Sequence, residues 1–457
     1  MRLPAFLSPS TVFPSRPAGV PVAPGWLPVV GHVPSLIRDL PGFLRGCDRT
    51  GPLCWLDVAR GPRQLVSTRE EAFTVFRNRE TSSKNLANAG GALLGRSLLV
   101  FDGSPHRRMR GAMGAPFTPR GLNAASAGAL IREVVEPRVA GWLRRDEVAL
   151  TEETREFAVD VIFRMMGIPS SELSSWRHQF EELMMLGMPL DWDLPGLPRR
   201  RGMTAKRWID ARLERFVAQA RGRAADADLV AAMVHGRDEH GGGLDHEELL
   251  DNLRILVFAG HETTASIMAW MTLELAAQPS AWHRAVDEAL AADGPPTTAE
   301  ELARFPFMEA VFRETLRLHP PVPLDSRETE TEIELFGAKI PPGLVVGCSL
   351  YSISRNPDRY PEPDRFDPDR WASLGRKPGA LETAQFGGGP HFCLGYHMAW
   401  LEAVQYGVIL ARTLGARGLG PILVHGKLPR SVWFPVSRPP KGTAVRLGRV
   451  ARPRAAA

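Results

Sequence analysis

Cysteine is scarce in this chain. Cys47, Cys54, Cys348 and Cys393 are the only four in 457 residues, and no two form a C-x-x-C pair. That spacing argues against a zinc ribbon or a thioredoxin-like centre. Four cysteines would allow two disulfides in a secreted protein, but the N-terminus lacks the basic, apolar and small-residue order of a signal peptide. Long apolar runs are also missing at the start. Pro4, Pro9, Pro14, Pro17, Pro21, Pro24 and Pro28 interrupt the opening segment, and no stretch there approaches the roughly 20 apolar residues that span a bilayer. Charge of one sign is not in excess either: 56 basic residues face 51 acidic ones, a net of +5. So small and dispersed a surplus does not argue for nucleic acid, although a basic face for an acidic partner stays open. The expectation is a cytoplasmic, reduced protein, a monomer without a transmembrane segment.

What the chain does have is bulk and helical periodicity. With 44% hydrophobic residues, it can bury a core large enough to enclose a bulky cofactor. Its 40 prolines and 43 glycines call for turn-rich connections. Residues 1–20 read as a Pro-rich, poorly ordered leader and 21–457 as one domain, since neither a repeat nor a separating linker occurs. Alternating stretches within 52–68 predict a small sheet. Helical periodicity predicts helices at 69–78, 105–117, 125–146, 154–166, 171–186, 203–222, 226–235, 246–277, 280–292, 298–304, 306–318 and 394–414. The segment 246–277 is apolar nearly all round from Leu253, which predicts a helix through the interior. Thr298 with Glu301 fits a capping box. Strands are expected at 331–336 and 344–348, then a Pro- and Asp-rich meander at 356–370 and a glycine turn at 387–389. The fold class is mainly α, a large helical body with a small β-rich lobe.

The most informative stretch is Phe386-Gly387-Gly388-Gly389-Pro390-His391-Phe392-Cys393-Leu394-Gly395. Glycines and a proline make a tight turn that lets backbone amides approach whatever Cys393 binds. A helix begins just after the cysteine, and a helix N-terminus favours the thiolate. By itself the stretch also fits a buried cysteine in a glycine turn. The pattern resembles the haem-binding loop of the cytochrome P450 family, F-x-x-G-x-[RH]-x-C-x-G, with Phe386, Gly389, His391, Cys393 and Gly395 in register. The resemblance implies the P450 fold, haem b as cofactor, Cys393 as the iron ligand and His391 as a donor to a haem propionate.

Other segments follow in the family's order. Glu314-Thr315-Leu316-Arg317 is E-x-x-R on a helix, where i and i+3 share a face. The resemblance implies that Arg365, within Pro361-Glu362-Pro363-Asp364-Arg365-Phe366, joins that pair and locks the meander. Asp102-Gly103-Ser104-Pro105-His106-Arg107-Arg108-Met109-Arg110 resembles the start of the family's helix C. His106 and Arg110 stand at i and i+4 and can reach one anion; the resemblance makes that anion a haem propionate, with Arg327 as a further donor. Arg107 and Arg108 are expected to point outward.

Within 246–277 stands Ala259-Gly260-His261-Glu262-Thr263-Thr264. Glycine and threonine are poor helix formers, so a local opening of the backbone ladder is expected there. A buried glutamate is costly unless it has partners or a role. The segment matches the family's [AG]-G-x-[DE]-T-[TS]. The resemblance assigns dioxygen hydrogen bonding to Thr263, proton delivery to Glu262 and room beside the haem to Ala259 and Gly260, with His261 facing away.

The implied activity is a monooxygenase that uses dioxygen, two electrons and two protons to hydroxylate or epoxidise a hydrophobic small molecule. In P450s the thiolate pushes electron density that favours O–O cleavage. A ferredoxin and ferredoxin reductase are the implied electron donors, since the chain ends about 60 residues after Cys393 with no flavin or nicotinamide module. Candidate pocket walls are Leu93, Leu94, Leu98, Leu99, Ile255, Ala259 and Val322 to Leu324. The stretch 193–206 loosely resembles a lid segment of retinoid-, sterol- and terpenoid-oxidising members. Fatty acids and polyketides remain open as substrates. So do three other functions: a peroxide-driven peroxygenase, a haem-thiolate isomerase and a haem-binding sensor. The peroxygenase and the isomerase tend to lose the acid–alcohol pair, which is intact here.

Overall fold

The computed structural model describes residues 15–58, 64–187, 196–372, 378–433 and 436–452. Most of the expected leader, and Asp193 to Pro195 of the lid-like stretch, lie outside them. In chain order the helices are α1 Val33–Arg38, α2 Leu40–Thr50, α3 Lys84–Leu94, α4 Gly103–Gly114, α5 Pro119–Ala124, α6 Ala127–Trp142, α7 Leu150–Met165 and α8 Leu173–Leu183. There follow α9 Pro198–Ala220, α10 Leu229–His235, α11 His246–Ala277, α12 Pro279–Ala291, α13 Pro306–Leu318, α14 Leu350–Ile353, α15 Asp369–Ala372 and α16 Tyr396–Gly415. The strands are β1 Cys54–Leu56, β2 Gln64–Ser67, β3 Thr81–Ser82, β4 Glu147–Ala149, β5 Asp325–Thr329, β6 Ile333–Leu335, β7 Ala338–Ile340, β8 Val345–Cys348, β9 Leu419–Leu423 and β10 Ala444–Arg449.

α11 organises the helical body. Asp245 and Glu248 form a reciprocal capping box at its start: the Glu248 N–H donates to Asp245 Oδ1 at 2.8 Å and the Asp245 N–H to Glu248 Oε2 at 2.9 Å. The helix then runs 32 residues, about 48 Å at 1.5 Å per residue, packed against α7, α16 and α13. Its ladder is continuous through Gly260, so the expected opening is absent. The Thr263 hydroxyl donates to the Ala259 carbonyl one turn back, at 2.7 Å, which meets its own need within the helix. Pro279 and Pro306 begin α12 and α13, where a missing N–H costs nothing. The capping box expected at 298–301 is only half formed. The Glu301 N–H donates to Thr298 Oγ1 at 3.3 Å, while the Glu301 carboxylate takes the Thr297 N–H at 2.6 Å.

The β lobe is a sheet of order β1-β2-β8-β5-β3, with β2 and β8 parallel and the other pairs antiparallel. β6 and β7 form a hairpin through Phe336 and Gly337, both at positive φ, the backbone of a twist-matched tight turn. β4, β10 and β9 form a small third sheet. β5, between β8 and the edge strand β3, places Arg327 opposite Val346. No described helix is long and apolar enough to cross a membrane.

Candidate functional site

The cysteine loop is held by glycine backbone conformations. Gly387 and Gly389 take φ of 72° and 59°, and a Cβ on Gly389 would lie 2.1 Å from the Phe76 carbonyl oxygen. The Cys393 N–H donates to the Phe386 carbonyl at 2.9 Å, closing the loop. Phe386 and Phe392 pack on Tyr396, with ring centroids 4.7 and 5.4 Å apart. Cys393 is a half-buried free thiol, ahead of α16 with Gly395 at the N-cap. Burial pushes its pKa up, against the pull of the Gly395 N–H and the Arg110 guanidinium. A Cβ at Gly395 would meet nothing within 4 Å.

Around this loop the structure gathers the cationic candidates. His106 is buried on α4 and stacks on His391 at 4.1 Å between ring centroids. Burial, then the positive neighbours His391 and Arg110, push its pKa down to about 4, and its Nε2 is buried without a partner. Arg110, one turn on, has no hydrogen-bond or ion-pair partner among the described residues. Arg327 donates to Ser83 Oγ at 2.5 Å, to the Thr81 carbonyl at 3.1 Å and to Asp102 Oδ1 at 2.7 Å; its Nε is buried and unsatisfied. His391 Nε2 also faces Asp102 Oδ1, at 2.9 Å. Arg107 is exposed as expected, but Arg108 is not free. It pairs with the buried carboxylate of Glu248, in the first turn of α11, at 2.6 Å.

Most of α11 is buried from Leu249 to Leu275, yet Ala259 is exposed and Gly260 and Thr263 are half-buried. Ala259 and Thr263 share a face at i and i+4, and a Cβ at Gly260 would meet nothing within 4 Å. Glu262 looks elsewhere. Its carboxylate pairs with Arg155 of α7 at 2.7 Å and lies 3.2 Å from His261 Nε2. Burial opposes its charge, but His261 and Arg155 overcome that and hold its pKa at about 2. The His261 Nδ1 faces the Val257 carbonyl at 2.7 Å, so its ring bridges backbone and carboxylate. Glu262 borders a cavity of about 300 Å³ lined also by Thr154, Arg155, Met184, Ala265, Ala269 and Lys441.

The buried Glu314–Arg317 pair forms as the spacing requires, at 2.8 Å. Its third member differs from the expectation. Arg365 is exposed and pairs with Glu362, contributing only its carbonyl to Arg317. Arg370 donates to Glu314 at 2.9 Å and the Trp371 indole N–H at 2.8 Å, because α15 turns back onto α13. Leu93, Leu94, Leu98 and Ile255 are buried in the main core with Leu99 packed against it, whereas Val322 is exposed and Leu324 joins the N-terminal cluster.

Sequence reasoning missed Asp102, Arg155 and Arg370 as partners. An aspartate before a helix signals only an N-cap, and nothing local marks the other two.

Three observations fit a haem. A half-buried, softly ligating thiol stands alone: among the described residues no three of His, Cys, Asp and Glu gather as for a bare metal ion. Gly395 and Gly260 leave open space where a side chain would stand. His106 Nε2, Arg327 Nε and Arg110 are donors awaiting an acceptor. The comparisons agree. The family model described as Cytochrome P450 matches residues 21–415. The chain is 38% identical to Cytochrome P450 BJ-4 of Bradyrhizobium diazoefficiens, covering 94% of this chain and 96% of that one. It is 29% identical to the cyclooctat-9-en-7-ol 5-monooxygenase of Streptomyces melanosporofaciens, over 89% and 91% of the two chains. A cyanobacterial CYP120A1 with retinoic acid bound superimposes with a TM-score of 0.81 at 25% identity, covering 94% and 99%.

A mainly helical haem-thiolate monooxygenase is the class that this fold and family match define. The chain belongs to the cytochrome P450 family, and its activity requires a substrate and redox partners.

Proposed function

We propose that this P450 oxygenates an apolar, terpenoid-like small molecule, with Cys393 as the iron ligand. Among the four cysteines, Cys393 alone combines partial exposure, a glycine cradle and a nearby unpaired cation, Arg110, the observation that carries the assignment. His106, Arg110, Arg327 and His391 hold the haem carboxylates by charge-assisted hydrogen bonds. Phe386, Gly389 and Gly395 would shape the loop that receives the haem, and Ala259 and Gly260 would leave room for it on α11.

Haem bound there supplies the dioxygen chemistry, consuming two electrons and two protons. The chain moves the protons. Glu262 borders the cavity beside Arg155 and is followed on α11 by Thr263. With a pKa near 2 it is ionised while paired with Arg155, so it takes up a proton when that pair opens. The Thr263 hydroxyl, now given to the Ala259 carbonyl, turns to hydrogen-bond the oxygen substrate. An intact acid–alcohol pair favours monooxygenation over the peroxygenase and isomerase readings.

The substrate assignment draws on a relative named for cyclooctat-9-en-7-ol and a structural neighbour with retinoic acid bound, with the buried apolar side chains of Leu93, Leu94, Leu98 and Ile255 as the candidate pocket wall. A ferredoxin with its reductase fits the basic balance of the chain and the exposed Arg107. The test is a visible-spectrum titration of the ferric protein with retinoids, cyclic terpenoids, fatty acids and macrolides. A low-to-high-spin shift is expected with the terpenoid group. A shift with another group alone overturns the substrate class, and a ferrous–CO spectrum without the thiolate signature overturns Cys393.

A further inference from the structure

We propose that Asp102 is a positioning residue for the haem carboxylates, holding Arg327 and His391 in place from behind. This rests on the assignment of His106, Arg110, Arg327 and His391 to those carboxylates. Asp102 stands at the N-cap of α4, where an aspartate ordinarily accepts an N–H of the first turn and stabilises by ~1 kcal/mol. It makes no such bond here. Its carboxylate instead gathers three other segments: the Ser83 N–H at 2.7 Å, Arg327 Nη2 at 2.7 Å and His391 Nε2 at 2.9 Å.

Each of these bonds orients a donor. Arg327 commits both terminal nitrogens to Ser83, Thr81 and Asp102, leaving Nε buried and unsatisfied. His391, fixed through Nε2, stacks on His106, whose own Nε2 has no partner. Arg110 adds a further positive charge to the cluster. Without that carboxylate, Arg327 and His391 would lose their shared anchor. A group that forgoes its helix cap to hold them pre-arranges the remaining donors for a dianionic edge, and pre-arrangement strengthens binding by lowering its ordering cost.

The test measures haem transfer to apomyoglobin from wild type, Asp102→Asn and Asp102→Glu, each loaded with protohaem or with its dimethyl ester, whose carboxylates are blocked. Wild type releases the ester faster than protohaem. Asp102→Asn is expected to release protohaem about tenfold faster than wild type, the scale of one charged hydrogen bond, while its ester release is unchanged. Asp102→Glu, keeping the charge, restores most of the retention. Equal acceleration of both haems means that Asp102 is a general staple, which overturns the proposal; slower protohaem release means competition and overturns it too. If Asp102→Asn fails to fold by circular dichroism, Asp102→Ser is measured in its place, since a positioning role accelerates protohaem release alone and leaves ester release unchanged. Wild type releasing both haems equally would refute the carboxylate assignment itself rather than the role of Asp102.

Discussion

Glu314 is fully buried, with Arg317, Arg370, the Trp371 indole and the Asp367 N–H all directed at its carboxylate. Burial opposes its charge, yet these partners, Arg317 foremost, hold its pKa below the ordinary range. Removing one member of such a group leaves a buried charge uncompensated, at about 3–5 kcal/mol. Arg370→Leu is therefore expected to destabilise strongly. Arg365→Ala, at an exposed pair, should cost less than about 1 kcal/mol. Chemical unfolding of the two variants checks this, and equal losses would contradict the geometry. At Glu262 the expectation concerns rate. Glu262→Gln keeps the shape but cannot cycle a proton, so oxygenated product should form on the order of 100-fold more slowly, with NADPH consumption outrunning product. Product assay against NADPH use separates this from a binding defect.

Helices α13 and α16 show how an element absorbs what its residues cost. Glu402 lies within α16 with one carboxylate oxygen buried and unpartnered, and burial pushes its pKa up to about 8. In the unfolded chain it ionises near 4.5, so the folded state loses relative stability as pH rises from there towards 8. Glu402→Leu should raise stability, by on the order of 2 kcal/mol at pH 8 and far less at pH 4. Melting curves at the two values test the sign. The cysteine loop is less tolerant. Gly389→Ala forces a side chain into the Phe76 carbonyl at a positive φ, and should lower both melting temperature and haem content, read by calorimetry and the haem-to-protein absorbance ratio.

Across the whole molecule, many of the ties between segments are ionic and sheltered. Arg254 of α11 is buried against Asp210 of α9, Arg138 of α6 reaches the buried Asp160 of α7, and Arg108 reaches Glu248. Salt screens such pairs far less than surface ones. The melting temperature should therefore change little with added sodium chloride. It should fall steeply below pH 4.5, where Glu262 and Glu314, whose folded pKa values are lowered, would take up protons on unfolding. A large salt dependence at neutral pH would show that the surface pairs dominate instead.

Much of this was legible in one dimension. The bounds 246–277 and 306–318 coincide with α11 and α13 because a continuous apolar pattern, an acidic cap and a leading proline are local signals. The cysteine loop was legible because its glycine conformations are demanded by backbone sterics at those positions. α1, α2 and α3 escaped notice, their helical pattern masked by Pro34, Pro41, Gly90 and Gly91. The choices between charged partners were beyond reach for another reason. Whether Arg365 or Arg370 meets Glu314, whether Arg108 turns outward, and what Asp102 holds depend on which groups the fold brings within about 3 Å. The sequence by itself determined the family, the cysteine loop and the long helix, since each is written in contiguous residues. Only the tertiary structure decided the partners of its buried charges, because a buried ion must find its counter-ion wherever the chain's packing happens to place one.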